Sequence, residues 1–137
     1  MKYLKDVLLV LFLVTLDQIS KFYFFNKNLR IFRYFYLNFV ANTGTVFGFI
    51  KDVNLLMIIF SFFVIGFLFY YYAKNRKLRF GLDFVLAGAF GNLFDRIFMG
   101  YVVDFIDLKI WPVFNLADMF IVFGMIILLW KVFKEKD

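Results

Sequence analysis

The chain has 137 residues, a single-domain length, and 64% of them are hydrophobic, whereas soluble domains contain about 45–50% apolar residues. This composition predicts an integral membrane protein. The absence of Cys and His excludes thiol nucleophiles, Ser-His-Asp relays, disulfides and thiolate or imidazole metal sites. Catalysis would therefore use carboxylates, amides, lysines or hydroxyls. The net charge of +6 is explained more simply by membrane topology than by nucleic-acid binding.

Four segments are apolar and close to the length of about 20 residues that a membrane-spanning helix needs: 7–25, 53–73, 82–98 and 114–132. Between the first two, residues 31–50 are rich in aromatic and β-branched side chains, which predicts short strands or a hairpin. We therefore expect an all-α membrane protein with four transmembrane helices and a small extracytoplasmic β cradle, forming one integral domain over residues 1–137.

Basic residues predict the orientation of these helices. Nine of the 16 Lys and Arg residues lie at the chain ends or between the second and third predicted helices. Positive charge is retained on the cytoplasmic side, so both termini are expected there. Eight polar residues from four separate stretches then fall near the outer face: Asp17, Asn42, Asn92, Asp95, Arg96, Asp104, Asn115 and Asp118. Carboxylates within a membrane are unfavourable, by about 2.5–3.5 kcal/mol each at a helix centre, so this convergence indicates a function.

Asp17 and Lys21 are one helical turn apart. This spacing predicts a salt bridge at the helix end, with Lys21 extending toward the lipid head groups. Such a pair has a structural role and does not require Asp17 to take part in chemistry.

The third predicted helix carries Gly88 and Gly91 on the same face as Asn92 and Asp95. The small residues allow a neighbouring backbone to approach the polar pair closely. Arg96 follows Asp95 and is expected to neutralise it, which argues against Asp95 as a reactive group.

Asp104 and Asp118 are the candidates for catalysis. Pro112 lies between them and prevents one continuous helix, so the chain can fold back and bring the two carboxylates together. Two close carboxylates share a proton, so one acts as a base toward water and the other donates to a carbonyl oxygen. The amide of Asn115 is positioned to hold a carboxylate or a substrate carbonyl. The alternatives are a helix cap for Asp118 and an interfacial loop acid for Asp104.

In this order, four blocks of sequence resemble the bacterial lipoprotein signal peptidases, the type II signal peptidases. The blocks are Asp17-Gln-Ile-Ser-Lys21, Asn42-Thr-Gly-Thr-Val-Phe-Gly48, Gly91-Asn-Leu-Phe-Asp-Arg96 with Gly100-Tyr-Val-Val-Asp-Phe105, and Phe114-Asn-Leu-Ala-Asp118. Thr45-Val46 departs from the small pair that is usual in the family. The resemblance implies an aspartic endopeptidase with four transmembrane helices, which cuts prolipoproteins before a diacylglyceryl-modified cysteine.

By position, the resemblance implies Asp104 and Asp118 as the catalytic pair. It implies supporting or substrate-binding roles for Asp17, Asn42, Asn92, Asp95, Arg96 and Asn115. It also implies a monomer in a bacterial cell membrane, with its active site at the outer face and without metal or cofactor. The expected partners are lipid-modified prolipoproteins, membrane lipids and globomycin-type inhibitors, and no nucleic acid.

Three other classes of protein are compatible with membrane acids. A proton-coupled transporter or channel subunit would place its acids near the midplane and along a path to both faces. A protease of the presenilin type would carry a GxGD motif, which this sequence lacks. A structural scaffold would not require the two acids separated by a loop.

Overall fold

The computed structural model describes residues 3–44 and 53–134. Within these ranges the chain is mostly helical, with one small antiparallel sheet, as predicted. In chain order the elements are α1 (Leu4–Phe24), β1 (Asn28–Phe32), β2 (Phe35–Asn42), α2 (Val53–Lys74), a short 3-10 turn (Arg76–Leu78), α3 (Arg79–Phe98), β3 (Val102–Asp107) and α4 (Leu116–Lys134).

Three of these helices, α1, α2 and α4, are long and apolar enough to cross a membrane. Their outward faces carry large exposed apolar side chains such as Phe63 and Phe133, as expected where lipid replaces water as the solvent. α3 corresponds to the helix predicted at 82–98, but it carries Asp83, Asp95 and Arg96 and is not one of these three. The exact number of four transmembrane helices therefore stays a prediction.

α3 is the central helix, because most of its residues are buried and the other three helices pack on it. Two glycines allow the closest approaches. A Cβ at Gly88 would lie 2.2 Å from the carbonyl oxygen of Ala117 in α4. A Cβ at Gly91 would lie 2.5 Å from Oδ2 of Asp17 in α1. The glycines thus bring α1 and α4 against the polar end of α3, as their positions predicted.

The predicted hairpin is formed by β1 and β2, although it begins earlier in the chain, at Asn28. The last part of the predicted segment, including Thr45-Val46, lies outside the described residues. β3 extends the hairpin into a three-stranded antiparallel sheet in the order β1-β2-β3, with Val40 opposite Asp104. Asp104 therefore lies in a strand, which corrects the alternative that placed it in an interfacial loop.

The chain folds back between β3 and α4. The backbone of Phe114 exchanges hydrogen bonds with that of Ile106, at 2.8 and 3.1 Å. This pairing closes the segment that contains Pro112 and places Asn115, at the start of α4, beside β3. The return of the chain toward Asp104 was expected from the proline, and the backbone pairing is its physical cause.

Candidate active site

Asn115 joins the two candidate catalytic carboxylates. Its side-chain Nδ2 donates a hydrogen bond of 2.7 Å to Oδ1 of Asp104, and its backbone N–H donates one of 3.2 Å to Oδ2 of Asp118. The backbone N–H of Asp118 donates in return to Oδ1 of Asn115, at 2.9 Å. Asn115 is completely buried, so these contacts hold Asp104 and Asp118 in a fixed relation to each other.

The reciprocal bonds between Asn115 and Asp118 form a helix cap of the capping-box type. The helix-cap alternative for Asp118 is therefore correct as a description of its contacts. It does not compete with a reactive role, because Asp118 is only half-buried and its Oδ1 is held by a second group, the Asn92 amide. The positive end of the α4 dipole also lies at this carboxylate.

Asn92 connects α3 to the pair. Its Nδ2 donates to Oδ1 of Asp118 at 2.8 Å, while its Oδ1 accepts from Asn115 Nδ2 and from Lys21 Nζ, both at 3.1 Å. The amide is therefore fixed in one orientation. The Asn92 amide therefore links the carboxylate of Asp118, to which it donates, with the ammonium group of Lys21, from which it accepts.

Lys21 is buried, with 2% of its side chain exposed, between two carboxylates that are completely buried. Its Nζ lies 2.8 Å from Asp17 and 2.9 Å from Asp95. The salt bridge with Asp17 was predicted, but the extension of Lys21 toward the lipid head groups was wrong. Asp95, one turn along from Asn92 on α3, draws the lysine inward instead.

The expected partner of Asp95 was also wrong. Asp95 pairs with Lys21 and accepts hydrogen bonds from Gln18 Nε2 at 2.9 Å and from the backbone N–H of Val103 at 3.1 Å. Arg96 instead donates to the carbonyl oxygen of Asn92, because consecutive helical residues do not face each other. The sequence analysis missed Gln18, although it is part of the quoted Asp17-to-Lys21 block.

Arg96 lies close enough to Asp118 and Asp104 for their charges to act on its guanidinium. It is half-buried, and no described carboxylate lies within ion-pair distance of it. Arg96 therefore adds positive potential beside the carboxylates without being paired to either of them.

Asn42 holds Asp104 from the sheet. Its Nδ2 donates to Oδ2 of Asp104 at 2.9 Å, and its Oδ1 accepts from the N–H of Gly44. The pKa of Asp104 is raised to about 6: burial is the largest cause and the charge of Asp118 adds to it, while the hydrogen bonds from Asn42 and Asn115 act in the opposite direction. Asp104 thus holds a proton at a higher pH than an ordinary carboxyl does.

Asp17 attaches α1 to the start of α4. Its Oδ1 accepts from the backbone N–H of Ala117 at 2.9 Å, which satisfies a donor that the helix itself leaves free. Asp17 reaches the pair only through neighbouring groups. The structure thus places seven of the eight predicted site residues in one hydrogen-bonded cluster around Asp104 and Asp118, with Arg96 at its edge.

Apolar helices around a buried cluster of carboxylates and amides define a membrane protein equipped for acid–base chemistry. The family model described as signal peptidase (SPase) II matches residues 9–134. The chain belongs to this peptidase family, as its sequence blocks indicated.

Individual relatives agree over nearly the whole chain. The lipoprotein signal peptidase of Moorella thermoacetica is 42% identical, over 92% of this chain and 91% of its own length. That of Halothermothrix orenii is 39% identical, over 95% and 98%. A solved bacterial membrane enzyme, determined by the in meso method at 2.3 Å resolution, has a TM-score of 0.84 and 25% identity, covering 97% of this chain and 90% of its own.

Proposed function

We propose that this chain is an aspartic endopeptidase that removes the signal peptide of diacylglyceryl-modified prolipoproteins, cutting before the lipid-modified cysteine. The observation that carries the proposal is the fixed relation of Asp104 and Asp118 through Asn115. Family membership supports cleavage of lipoprotein signal peptides in general. The pair of carboxylates supplies both groups that hydrolysis of a peptide bond by water requires.

In the proposed mechanism Asp118 is the base and Asp104 carries the shared proton. Asp118 takes a proton from water while the water oxygen attacks the scissile carbonyl carbon, and Asp104 donates its proton to the carbonyl oxygen. When the tetrahedral intermediate collapses, Asp118 gives its proton to the leaving amine and Asp104 recovers its own. The raised pKa of Asp104 supports its role as the carrier of the proton that the two carboxylates share.

We further propose four transmembrane helices, cytoplasmic termini and a site at the outer face of a bacterial cell membrane. β2 precedes α2 and β3 follows α3, yet the two strands pair in one sheet. If α2 crosses the membrane, α3 must therefore cross back. The start of α1 meets the α2–α3 junction, where Arg79 donates to the Tyr3 hydroxyl. Most of the basic residues therefore lie at the end of the bundle opposite the sheet.

The decisive experiment measures cleavage of a diacylglyceryl-modified prolipoprotein by purified Asp104→Asn and Asp118→Asn variants in detergent. Each variant should lose at least about 10³-fold in kcat, because general acid–base groups contribute about 10²–10⁴-fold and the two act together. Thermal unfolding checks that each variant is folded. Retained turnover in either folded variant rules out the pair.

Asp107→Asn is the matched control. Asp107 lies in the same strand, three residues after Asp104, but pairs with Lys109 and Asn38 away from Asp118. This variant should cleave at nearly the wild-type rate. An unmodified precursor tests the substrate: if wild-type protein cleaves it as fast as the lipid-modified form, the proposed substrate class is wrong.

A further inference from the structure

One end of the sheet carries exposed apolar and basic side chains that the proposed mechanism does not use. β1 and β2 are joined there by the turn at residues 33–34. Residues 109–111 follow β3 at the same end, because Tyr36 of β2 pairs with Asp107 of β3. We call residues 32–34 and 109–111 the sheet tip. The tip thus consists of two stretches of chain that are distant in sequence and adjacent in the fold.

The large apolar side chains of the sheet tip are among the most exposed of the described residues. Ile110 is 87% exposed, Phe32 70% and Trp111 68%. A contiguous exposed apolar patch marks a site of contact with a partner or a membrane. Aromatic side chains are enriched where a membrane protein meets the boundary between lipid and water. The composition of the tip therefore favours contact with that boundary.

Two arginines at the tip and beside it are not neutralised by carboxylates. No described carboxylate lies within ion-pair distance of Arg30 or Arg33. Each guanidinium lies over a tyrosine ring, with Cζ of Arg30 5.8 Å from the ring centre of Tyr36 and Cζ of Arg33 5.2 Å from that of Tyr34. Stacking leaves the in-plane N–H donors of a guanidinium free, and these donors match the oxygens of a phosphate. The tip therefore combines apolar surface with groups that bind anions.

The sheet lies directly at the end of α1, which is long enough to cross the membrane. The 21 residues of α1 extend about 31 Å, close to the thickness of about 30 Å of the apolar layer. Only residues 25–27 separate α1 from β1. The sheet also stacks on the helix end, since the ring centres of Phe24 and Phe105 are 4.7 Å apart. The sheet is therefore held at the level of the lipid head groups.

We propose that the sheet tip inserts its apolar side chains among the head groups of the adjacent leaflet and binds anionic phospholipids through Arg30 and Arg33. Charge complementarity selects the anionic lipids, because each basic residue near an anionic membrane surface favours binding about fivefold. An acidic protein would match the arginines as well, but lipid is the neighbour that the position at the helix ends provides. The contact goes beyond the proposed function. It would fix the sheet, and with it Asp104, relative to the membrane surface.

The fluorescence of Trp111 tests this contact. Trp111 and Trp130 are the two Trp residues of the chain, so Trp130→Phe leaves one indole, at the tip. This variant is reconstituted in vesicles of phosphatidylcholine with a minor fraction of phosphatidylglycerol. Bromine, which quenches indole fluorescence on contact, is placed on the acyl chains of the phosphatidylglycerol or of an equal amount of the phosphatidylcholine. Brominated phosphatidylglycerol should quench at least about twofold more strongly, and salt should reduce the difference.

Two double variants in the same background assign the effect to the arginines. Arg30→Gln with Arg33→Gln should remove the preference for phosphatidylglycerol. Arg76→Gln with Lys77→Gln removes two charges at the opposite end of the bundle and should retain it. Thermal unfolding checks that the variants are folded. The readout does not depend on turnover, so it can fail while the proposed function holds, and the reverse.

Three outcomes would overturn the inference. Equal quenching by the two brominated lipids would exclude selection of the anionic lipid. A preference that persists without Arg30 and Arg33 would exclude these residues as its cause. If brominated lipids leave Trp111 unaffected while aqueous iodide quenches it, the tip lies in water, where it would be available to a protein partner.

Discussion

Asp104 is the more deeply buried member of the proposed catalytic pair, with 2% of its surface exposed. In the proposed mechanism it must be protonated in the free enzyme. Its pKa of about 6 then predicts that kcat/KM falls as the pH rises through about 6, because the proton needed for the carbonyl oxygen is lost. A pH–rate profile between pH 4 and 8 measures this limb. A rate that rises through pH 6 would reverse the roles of Asp104 and Asp118.

Asn42→Ala extends this test. The Asn42 amide stabilises the ionised form of Asp104, so its removal should raise the pKa and move the falling limb to higher pH. A hydrogen bond to a charged group contributes about 1.5 kcal/mol, so its loss should shift the pKa of Asp104 by up to about one unit. Asn38→Ala is the control, because Asn38 lies in the same strand but donates to Asp107. An equal shift in both variants would exclude a specific effect on Asp104.

Lys21 and Asp17 should differ sharply in their effect on stability. Lys21→Met leaves Asp17 and Asp95 buried without their shared cation, which should lower the free energy of unfolding by about 3–5 kcal/mol. Asp17→Asn keeps the Lys21–Asp95 pair and an acceptor for the Ala117 N–H. This variant should therefore lower the free energy of unfolding by only about 1 kcal/mol. Denaturant unfolding in detergent compares the two. A folded but inactive Asp17→Asn variant would show that Asp17 has more than a structural role.

At the scale of elements, the apolar segments predicted all four helices, because their composition and length are local properties. The hairpin followed from local aromatic and β-branched content. β3 was missed because the strand depends on pairing with β2, more than sixty residues earlier in the chain. The inward position of Lys21 was missed for the same reason, since its second partner, Asp95, lies on α3. The types of residue and their order in the sequence were enough to identify the site. The contacts between residues on different helices and strands became known only from the fold.

The crossing of α3 and α4 depends on Gly88. Gly88→Ala would place a Cβ 2.2 Å from the Ala117 carbonyl, a backbone atom that moves only if α4 moves. We expect a loss of about 1–3 kcal/mol in stability and a fall in turnover, because Asp118 follows Ala117. Gly66→Ala in α2 is the control, since nothing lies within 4 Å of the added methyl group. Thermal unfolding and turnover should separate the two variants. Equal stability and activity would contradict the close crossing.

At the scale of the whole molecule, the sheet lies at one end of the bundle and most of the basic residues lie at the other. In the proposed topology, this separation places the carboxylate cluster at the outer surface of the membrane, where the proposed lipid-anchored substrate would meet it.

The absence of native Cys permits a direct test of this topology. Arg33→Cys, in the turn between β1 and β2, and Arg76→Cys, between α2 and α3, introduce single exposed thiols at opposite ends of the bundle. In right-side-out membrane vesicles, an impermeant maleimide should label Arg33→Cys at once and Arg76→Cys only after permeabilisation. The unsubstituted chain is the background control. Because β2 and β3 share one sheet, this result would require both α2 and α3 to cross the membrane. Labelling in the opposite order would invert the protein, and labelling of both positions from one side would rule out the four-helix topology.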